Sequence, residues 1–258
     1  MSIQEICKKF GIKNYTINSD GSIDVDESVD LTNRKLTELP LKFGSVTGYF
    51  DCSNMDITTL EGSPKSVGGN FYCSINNLTT LEGSPESIGD GFYCYGNKLT
   101  DLKGSPKSVG GDFRCRNNQL TTLEGSPESV GGSFDCSNNN LTSLSGSPKS
   151  IGGYFGCNGN KLTTLEGCPK SVGGSFYCNI NQLTTLEGSP DSVGGHFYCS
   201  NNPIGSIFDF VDIDFIRAFN TFKVLNDGVV NLKRLKYVME MFDKYIVIKE
   251  IEKYYTIK

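Results

Sequence analysis

Residues 71–91 read FYCSINNLTTLEGSPESIGDG and residues 92–112 read FYCYGNKLTDLKGSPKSVGGD, so the chain repeats every 21 residues. Seven complete units fill residues 50–196, and a degenerate unit with Val29, Leu31 and Val46 in register precedes them. The repeating Phe residues are Phe50, Phe71, Phe92, Phe113, Phe134, Phe155, Phe176 and Phe197, and a Cys follows each of them two residues later. Such a period is typical of a solenoid, whose stacked units share one core that no unit closes alone.

Each part of the unit has a physical reading. Side chains alternate along a strand, so Phe71 and Cys73 are predicted to point into the core from one short strand. Asn76 follows at a fixed offset, where a side-chain amide can satisfy backbone groups at a turn. The Gly-Ser-Pro sequence at 83–85 then prevents a helix.

The pattern Phe71-x-Cys73-x-x-Asn76-x-Leu78-x-x-Leu81 resembles the leucine-rich repeat, with Phe and Cys where Leu is usual. The resemblance implies a mainly β, right-handed solenoid with a parallel sheet on its concave face, a short non-helical opposite face, and partner binding at the sheet. Arg34 and Met55 stand where Asn is expected, which predicts irregular first turns. The Phe-x-Cys and LEGSP variant also resembles short repeat proteins of bacteriophages.

The ends of a solenoid need covering, so we predict a small α/β cap at each end. The N-terminal cap would cover residues 1–28, the solenoid 29–205 and the C-terminal cap 206–258. In the first cap we expect a helix over 2–10 and a hairpin over Tyr15–Asp30. In the last cap we expect a buried helix over Ile207–Phe222, a turn at 226–228, a helix with an apolar face from Leu232 to Phe242, and strands within Tyr245–Lys258. A second contact role for the last segment stays open.

Composition narrows the function classes. The net charge is −5, and residues 50–196 carry 9 basic and 14 acidic residues, which argues against nucleic-acid binding. His196 is the single histidine, so paired-His metal sites are excluded, and we expect no metal, cofactor or catalytic site. No apolar run approaches a membrane span, and the first residues lack a secretory apolar core, which predicts a soluble cytoplasmic protein.

Ten cysteines invite a disulfide or metal interpretation, but eight of them belong to the Phe-x-Cys set. Stacked strands would place these side chains in parallel, which is poor geometry for a disulfide, and free Cys is a good small core residue. We therefore expect reduced, buried thiols.

The outward residues of the predicted strands vary while the framework hardly changes. Tyr and Arg, which often anchor interfaces, cluster among them. The candidate binding residues are Tyr72, Tyr93, Tyr95, Arg114, Arg116, Asp135, Tyr154, Tyr177, His196 and Tyr198. On the opposite face, charges of mostly alternating sign follow each Pro, and they predict a weak ladder of attraction: Lys65, Glu86, Lys107, Glu128, Lys149, Lys170 and Asp191.

These features predict a non-enzymatic module that binds a protein through its sheet. The resemblance to phage proteins implies that the partner is a host protein or defence factor and that the module acts in the host cytoplasm. Two alternatives stay open: a structural, virion-associated or self-assembling repeat protein, and a nucleotide-sequestering protein with stacking tyrosines. The partner, the oligomeric state and the source are not specified by the sequence.

Overall fold

The repeats form a β-solenoid in the computed structural model, which describes residues 1–204, 210–211, 213–226, 229–242, 251–252 and 255–258. Every unit contributes one two-residue strand beginning at its Phe, and consecutive strands pair in parallel with Phe opposite Phe. We call this ten-stranded sheet the Phe/Cys sheet. Its strands are Val29–Asp30, Phe50–Asp51, Phe71–Tyr72, Phe92–Tyr93, Phe113–Arg114, Phe134–Asp135, Phe155–Gly156, Phe176–Tyr177, Phe197–Tyr198 and Phe210–Val211.

A second set of strands lies on the other side of the solenoid, which the sequence analysis predicted only as a short non-helical face. We call it the Ser/Val side, and it consists of two parallel runs that separate between Ile88 and Val109. Its strands are Ile23–Val25, Phe43–Val46, Ser66–Val67, Ser87–Ile88, Ser108–Val109, Ser129–Val130, Ser150–Ile151, Ser171–Val172 and Ser192–Val193. In most of these two-residue strands the serine is exposed and the second residue is buried.

The core is a column of stacked side chains. Neighbouring Phe rings from Phe50 to Phe197 lie nearly parallel, with ring centroids 5.0 to 5.7 Å apart. The repeating Cys side chains are fully buried beside them, and all ten cysteines are free, as expected. Each buried Phe contributes about 1.5–3 kcal/mol to the hydrophobic free energy of folding.

The turn after each Phe/Cys strand depends on the repeating asparagine. Asn118 donates from Nδ2 to the Cys94 and Cys115 carbonyls at 3.1 and 3.0 Å, and its Oδ1 accepts from the Leu99 N–H at 3.1 Å. The same contacts recur along the solenoid, so one buried amide links each unit to the one before it. At the irregular start, both Asn33 and Lys35 have positive φ, and Met55 fills the Asn position as a buried apolar side chain.

The N-terminal cap has the predicted helix and a hairpin that is shorter than predicted, because Val29–Asp30 is the first strand of the Phe/Cys sheet. The helix covers Ile3–Phe10 and begins at a Ser2 capping box. Strands Tyr15–Ile17 and Ile23–Val25 pair antiparallel, and the second strand continues in parallel into the Ser/Val side. The hairpin therefore covers the first edge of that side.

The C-terminal segment corrects one prediction. Phe210–Val211 is a strand, paired antiparallel with Phe197–Tyr198, and the helix begins only at Ile213 and ends at Thr221. The helix prediction for 207–209 and 212, the centre of the turn at 227–228, and the strand predictions for 245–250 and 253–254 lie outside the described residues. Ile251 is helical, where a strand was predicted. The second predicted helix covers Leu232–Met241, and strands Leu225–Asn226, Val229–Val230 and Thr256–Ile257 form a small sheet. The Tyr255 hydroxyl donates to the Thr184 carbonyl at 3.0 Å, so this segment contacts the last repeats.

Candidate functional site

The outer surface of the Phe/Cys sheet collects the candidate residues. Because Phe and Cys point inward, the residue between them points outward, and Tyr72, Tyr93 and Arg114 are half-buried on three successive strands. We call this surface the sheet face. It comprises the residue before each Phe, the residue between Phe and Cys, and the two residues after Cys. The sequence-predicted residues all lie on it.

The first aromatic cluster is continuous. The rings of Tyr72 and Tyr93 stack with centroids 4.7 Å apart and an interplanar angle of 18°. The Arg114 guanidinium lies 5.8 Å from the Tyr93 ring centroid, on the next strand. Tyr49 extends the cluster by an edge-to-face contact with Tyr72 at 6.5 Å. Sequence reasoning missed Tyr49, although it precedes its Phe exactly as the candidates Tyr154 and His196 do.

Two arginines on this surface have different surroundings. Arg114 donates to the Asp112 carboxylate at 2.7 and 3.2 Å, and this contact raises the pKa of Arg114. Burial works to raise the pKa of Asp112, but hydrogen bonds from the Ser133 N–H and from Arg114 hold it below its usual value. Arg116 instead lies over the Tyr95 ring, 5.2 Å from its centroid, and its Nε is buried without a hydrogen-bond partner.

The second aromatic cluster lies toward the C-terminal end. Tyr154 meets Tyr177 edge to face at 5.7 Å, and Tyr177 stacks on Tyr198 at 4.8 Å with an interplanar angle of 5°. The His196 ring lies 5.9 Å from the Tyr198 ring. These four candidate residues therefore lie together in space.

Asp135 differs from the exposed residue that the sequence predicted. It lies on the sheet face but is only 7% exposed, because Tyr154 covers it and its Oδ1 accepts from the Ser137 hydroxyl at 2.6 Å and the Ser137 N–H at 3.1 Å. The Tyr154 hydroxyl lies 3.5 Å from its second oxygen. Gly156, which has no side chain, leaves the space into which the Tyr154 ring leans. The two aromatic clusters are thus separated by a polar region in which Asp135 and Ser137 hydrogen-bond to each other.

Three tyrosines of this face are neutral hydrogen-bonding groups. Burial raises the pKa of Tyr72, Tyr93 and Tyr154 above the usual value for a phenol. Each hydroxyl therefore keeps its proton at neutral pH. The described residues contain no group of His, Cys, Asp or Glu side chains arranged to hold a metal ion. In the same part of the chain, no helix is long and apolar enough to cross a membrane.

Comparisons with protein-family models, with curated proteins and with solved structures return no match to this chain.

Proposed function

We propose that this protein is a non-enzymatic binding module of the leucine-rich-repeat type, and that its sheet face binds another protein. The observation that carries the proposal is the stack formed by Tyr72, Tyr93 and Arg114 on adjacent strands. Tyr supplies a rigid aromatic ring with a polar hydroxyl, and Arg supplies a planar set of hydrogen-bond donors. Both side chains are already held in place by their neighbours. Binding through such a surface costs little additional side-chain entropy.

The asparagine contacts support the leucine-rich-repeat part of the proposal. Each repeating Asn side chain bonds to the backbone on both sides of the unit boundary, which is a structural reason for Asn at that position of the motif. The phage-like form of the repeat leads us to propose a host protein or defence factor as the partner, met in the host cytoplasm. The proposal of a host partner and the proposal of a cytoplasmic location both rest on the resemblance of the repeat to phage proteins.

The tyrosine geometry favours a protein partner over a stacked nucleotide. The Tyr72 and Tyr93 rings face each other, and the far side of Tyr93 faces Arg114. Tyr177 and Tyr198 also cover each other's faces. The ring edges and hydroxyls are therefore what this surface offers to a partner, whereas a nucleobase would need a free ring face.

The test is capture of a partner from host cytosol by the full chain, followed by affinity measurements on variants. Tyr93→Ala with Arg114→Ala should weaken binding by about 2 kcal/mol or more if these side chains are anchors. The matched control is Lys107→Ala with Glu128→Ala, two exposed residues on the opposite face. If only the control pair lost binding, the interface would lie on the opposite face, and the proposal would be wrong.

The rival functions give different results in the same experiment. A co-purified nucleotide in place of a protein would support sequestration of a small ligand. Recovery of the chain as a component of purified particles would support a structural role. Either result, without a stoichiometric protein partner, contradicts the proposal.

A further inference from the structure

The carboxylates of the sheet face are hydrogen-bonded within the chain. Its carboxylates accept hydrogen bonds from a hydroxyl or backbone N–H two residues later, or pair with an arginine. The pairs are Asp30 with Thr32, Asp51 with Ser53, Asp135 with Ser137, and Asp112 with Arg114. Arg114 therefore compensates the charge of Asp112, whereas the other three acids are hydrogen-bonded without a cationic partner among the described residues.

Arg116 is the exception on this face. Among the described residues no carboxylate lies within 4.0 Å of its guanidinium nitrogens and no acceptor bonds to it. Its Nε is shielded from solvent while the residue as a whole is only half-buried. The guanidinium charge has no anionic partner among the described residues, so a carboxylate that reaches its terminal nitrogens would add a charge-assisted hydrogen bond.

A strained apolar residue lies close by. The residue before each repeating Asn has a φ between 54 and 69°, and at most of these positions it is Asn or Gly, which tolerate this conformation. Ile75 and Ile180 are the β-branched exceptions, with φ of 56° and 55°. They are 50% and 54% exposed, so the unfavourable backbone is not offset by burial in the core. Strain of this kind is concentrated at functional positions.

Ile75, Tyr95 and Arg116 follow three successive strands of the Phe/Cys sheet and form a strip. The Ile75 N–H donates to the Tyr95 carbonyl at 2.9 Å, which places the two residues side by side. Arg116 covers the ring of Tyr95. The strip therefore presents an aliphatic side chain at one end, an aromatic ring in the middle and an unpaired cation at the other end.

We propose that this strip docks an acidic segment of the partner protein, with a carboxylate of Asp or Glu on Arg116 and an aliphatic side chain against Ile75 and Tyr95. The inference rests on the proposed function and specifies the chemistry of the partner. Charge complementarity carries it, since Arg116 is the cation of the strip and pairs with no carboxylate among the described residues. A nucleic acid would need several phosphate contacts, and one arginine on a chain of net charge −5 does not supply them.

The probe is a library of short random-sequence peptides, selected on the full-length protein and then measured individually by fluorescence anisotropy. We expect the enriched peptides to contain Asp or Glu next to Leu, Ile or Val. Arg116→Gln should weaken them about tenfold or more, and replacing the peptide acid by its amide should cause a similar loss. The two changes together should weaken binding little further, because they remove the same contact. Lys107→Gln, an exposed lysine on the opposite face, controls for the loss of one charge.

Ile75→Asn separates docking from folding. Asn is favoured over Ile at positive φ, so the melting temperature should stay constant or rise while peptide affinity falls. Ile180→Asn relieves the same strain five units away and should leave peptide affinity unchanged. A merely structural role for Ile75 would give the opposite result, a lower melting temperature with unchanged affinity.

The outcomes that overturn the inference are distinct from those that overturn the proposed function. The acidic docking strip would be overturned if no peptide is enriched or if the enriched peptides lack acidic residues. It would also be overturned if Arg116→Gln binds the peptides with equal affinity, or if the protein binds oligothymidylate through Arg116. If the enriched peptides still require Tyr93 and Arg114, the sheet face remains the binding surface. If they bind normally to both Arg116→Gln and the Tyr93→Ala, Arg114→Ala variant, both proposals fail.

Discussion

The Oδ1 atom of Asn139 accepts a hydrogen bond from the backbone N–H of Leu120, in the preceding unit, at 3.0 Å. The same oxygen accepts from the Asn118 N–H at 3.1 Å, and Nδ2 donates to the Cys115 and Cys136 carbonyls at 3.2 and 3.0 Å. One side chain therefore satisfies buried backbone groups on both sides of a unit boundary. Without it, the turn would bury unpaired N–H and C=O groups.

Asn139→Ala should destabilise the protein by about 3 kcal/mol or more, since each buried group left unpaired costs about 1–3 kcal/mol. Urea unfolding followed by circular dichroism measures the loss. Asn140→Ala is the matched control, because this neighbour is more exposed and its side chain makes no hydrogen bond within the described residues. A loss of similar size in both variants would contradict the role assigned to Asn139.

The repeat unit allowed the solenoid and the inward Phe and Cys side chains to be predicted, because a 21-residue period and strand alternation are local properties. The Ser/Val strands were not predicted. Each is two residues long with one buried side chain, so there is too little alternation to indicate a strand. Their pairing follows from stacking, which is a property of the assembled turns.

The sheet face was predicted in outline for the same reason, but its fine structure depends on neighbouring units. Asp135 is buried because Tyr154, 19 residues later, leans over Gly156. Tyr49, which precedes the strand Phe50–Asp51, joins the first cluster through Tyr72 of the neighbouring strand. Such contacts depend on side-chain direction across strands, which a residue's position within its own unit does not determine.

Gly125 should be irreplaceable for two separable reasons. Its φ is +88°, and an added Cβ would lie 2.5 Å from backbone atoms of Leu102 and Lys103 in the preceding unit. Gly21 has a similar φ of +79°, but no atom lies within 4 Å of its added Cβ. Gly21→Ala should therefore cost about 1–2 kcal/mol, from backbone strain alone, and Gly125→Ala clearly more. Equal losses in thermal unfolding would show that the close approach of the units is unimportant.

The charge ladder of the Ser/Val side should contribute little to stability. Lys149 Nζ lies 3.5 Å from Glu128 Oε2, and both side chains are more than two-thirds exposed. A double-mutant cycle with Lys149→Ala and Glu128→Ala should give a coupling free energy of about 0.2–1 kcal/mol at low salt, falling as salt is added. A larger, salt-independent coupling would contradict this interpretation.

The stability of the solenoid should fall steeply at alkaline pH. Burial raises the thiol pKa of the repeating cysteines, which stay protonated in the folded protein: Cys52, Cys73, Cys94, Cys115, Cys136, Cys157 and Cys178. In the unfolded chain the same thiols ionise near their ordinary value of about 8.5. Above that pH the unfolded state binds fewer protons than the folded state, so the free energy of unfolding decreases as pH rises.

Each such thiol contributes a slope approaching about −1.4 kcal/mol per pH unit once the pH exceeds its unfolded pKa. We expect nearly constant stability from about pH 7 to 8 and a progressive loss from about pH 8.5 to 10.5, measured by urea unfolding under a reducing agent. Cys94→Ala with Cys136→Ala should lower the stability at neutral pH, because it leaves space in the core, but it should also make the alkaline slope shallower. A slope that is unchanged in this variant would assign the alkaline sensitivity to groups other than the buried thiols.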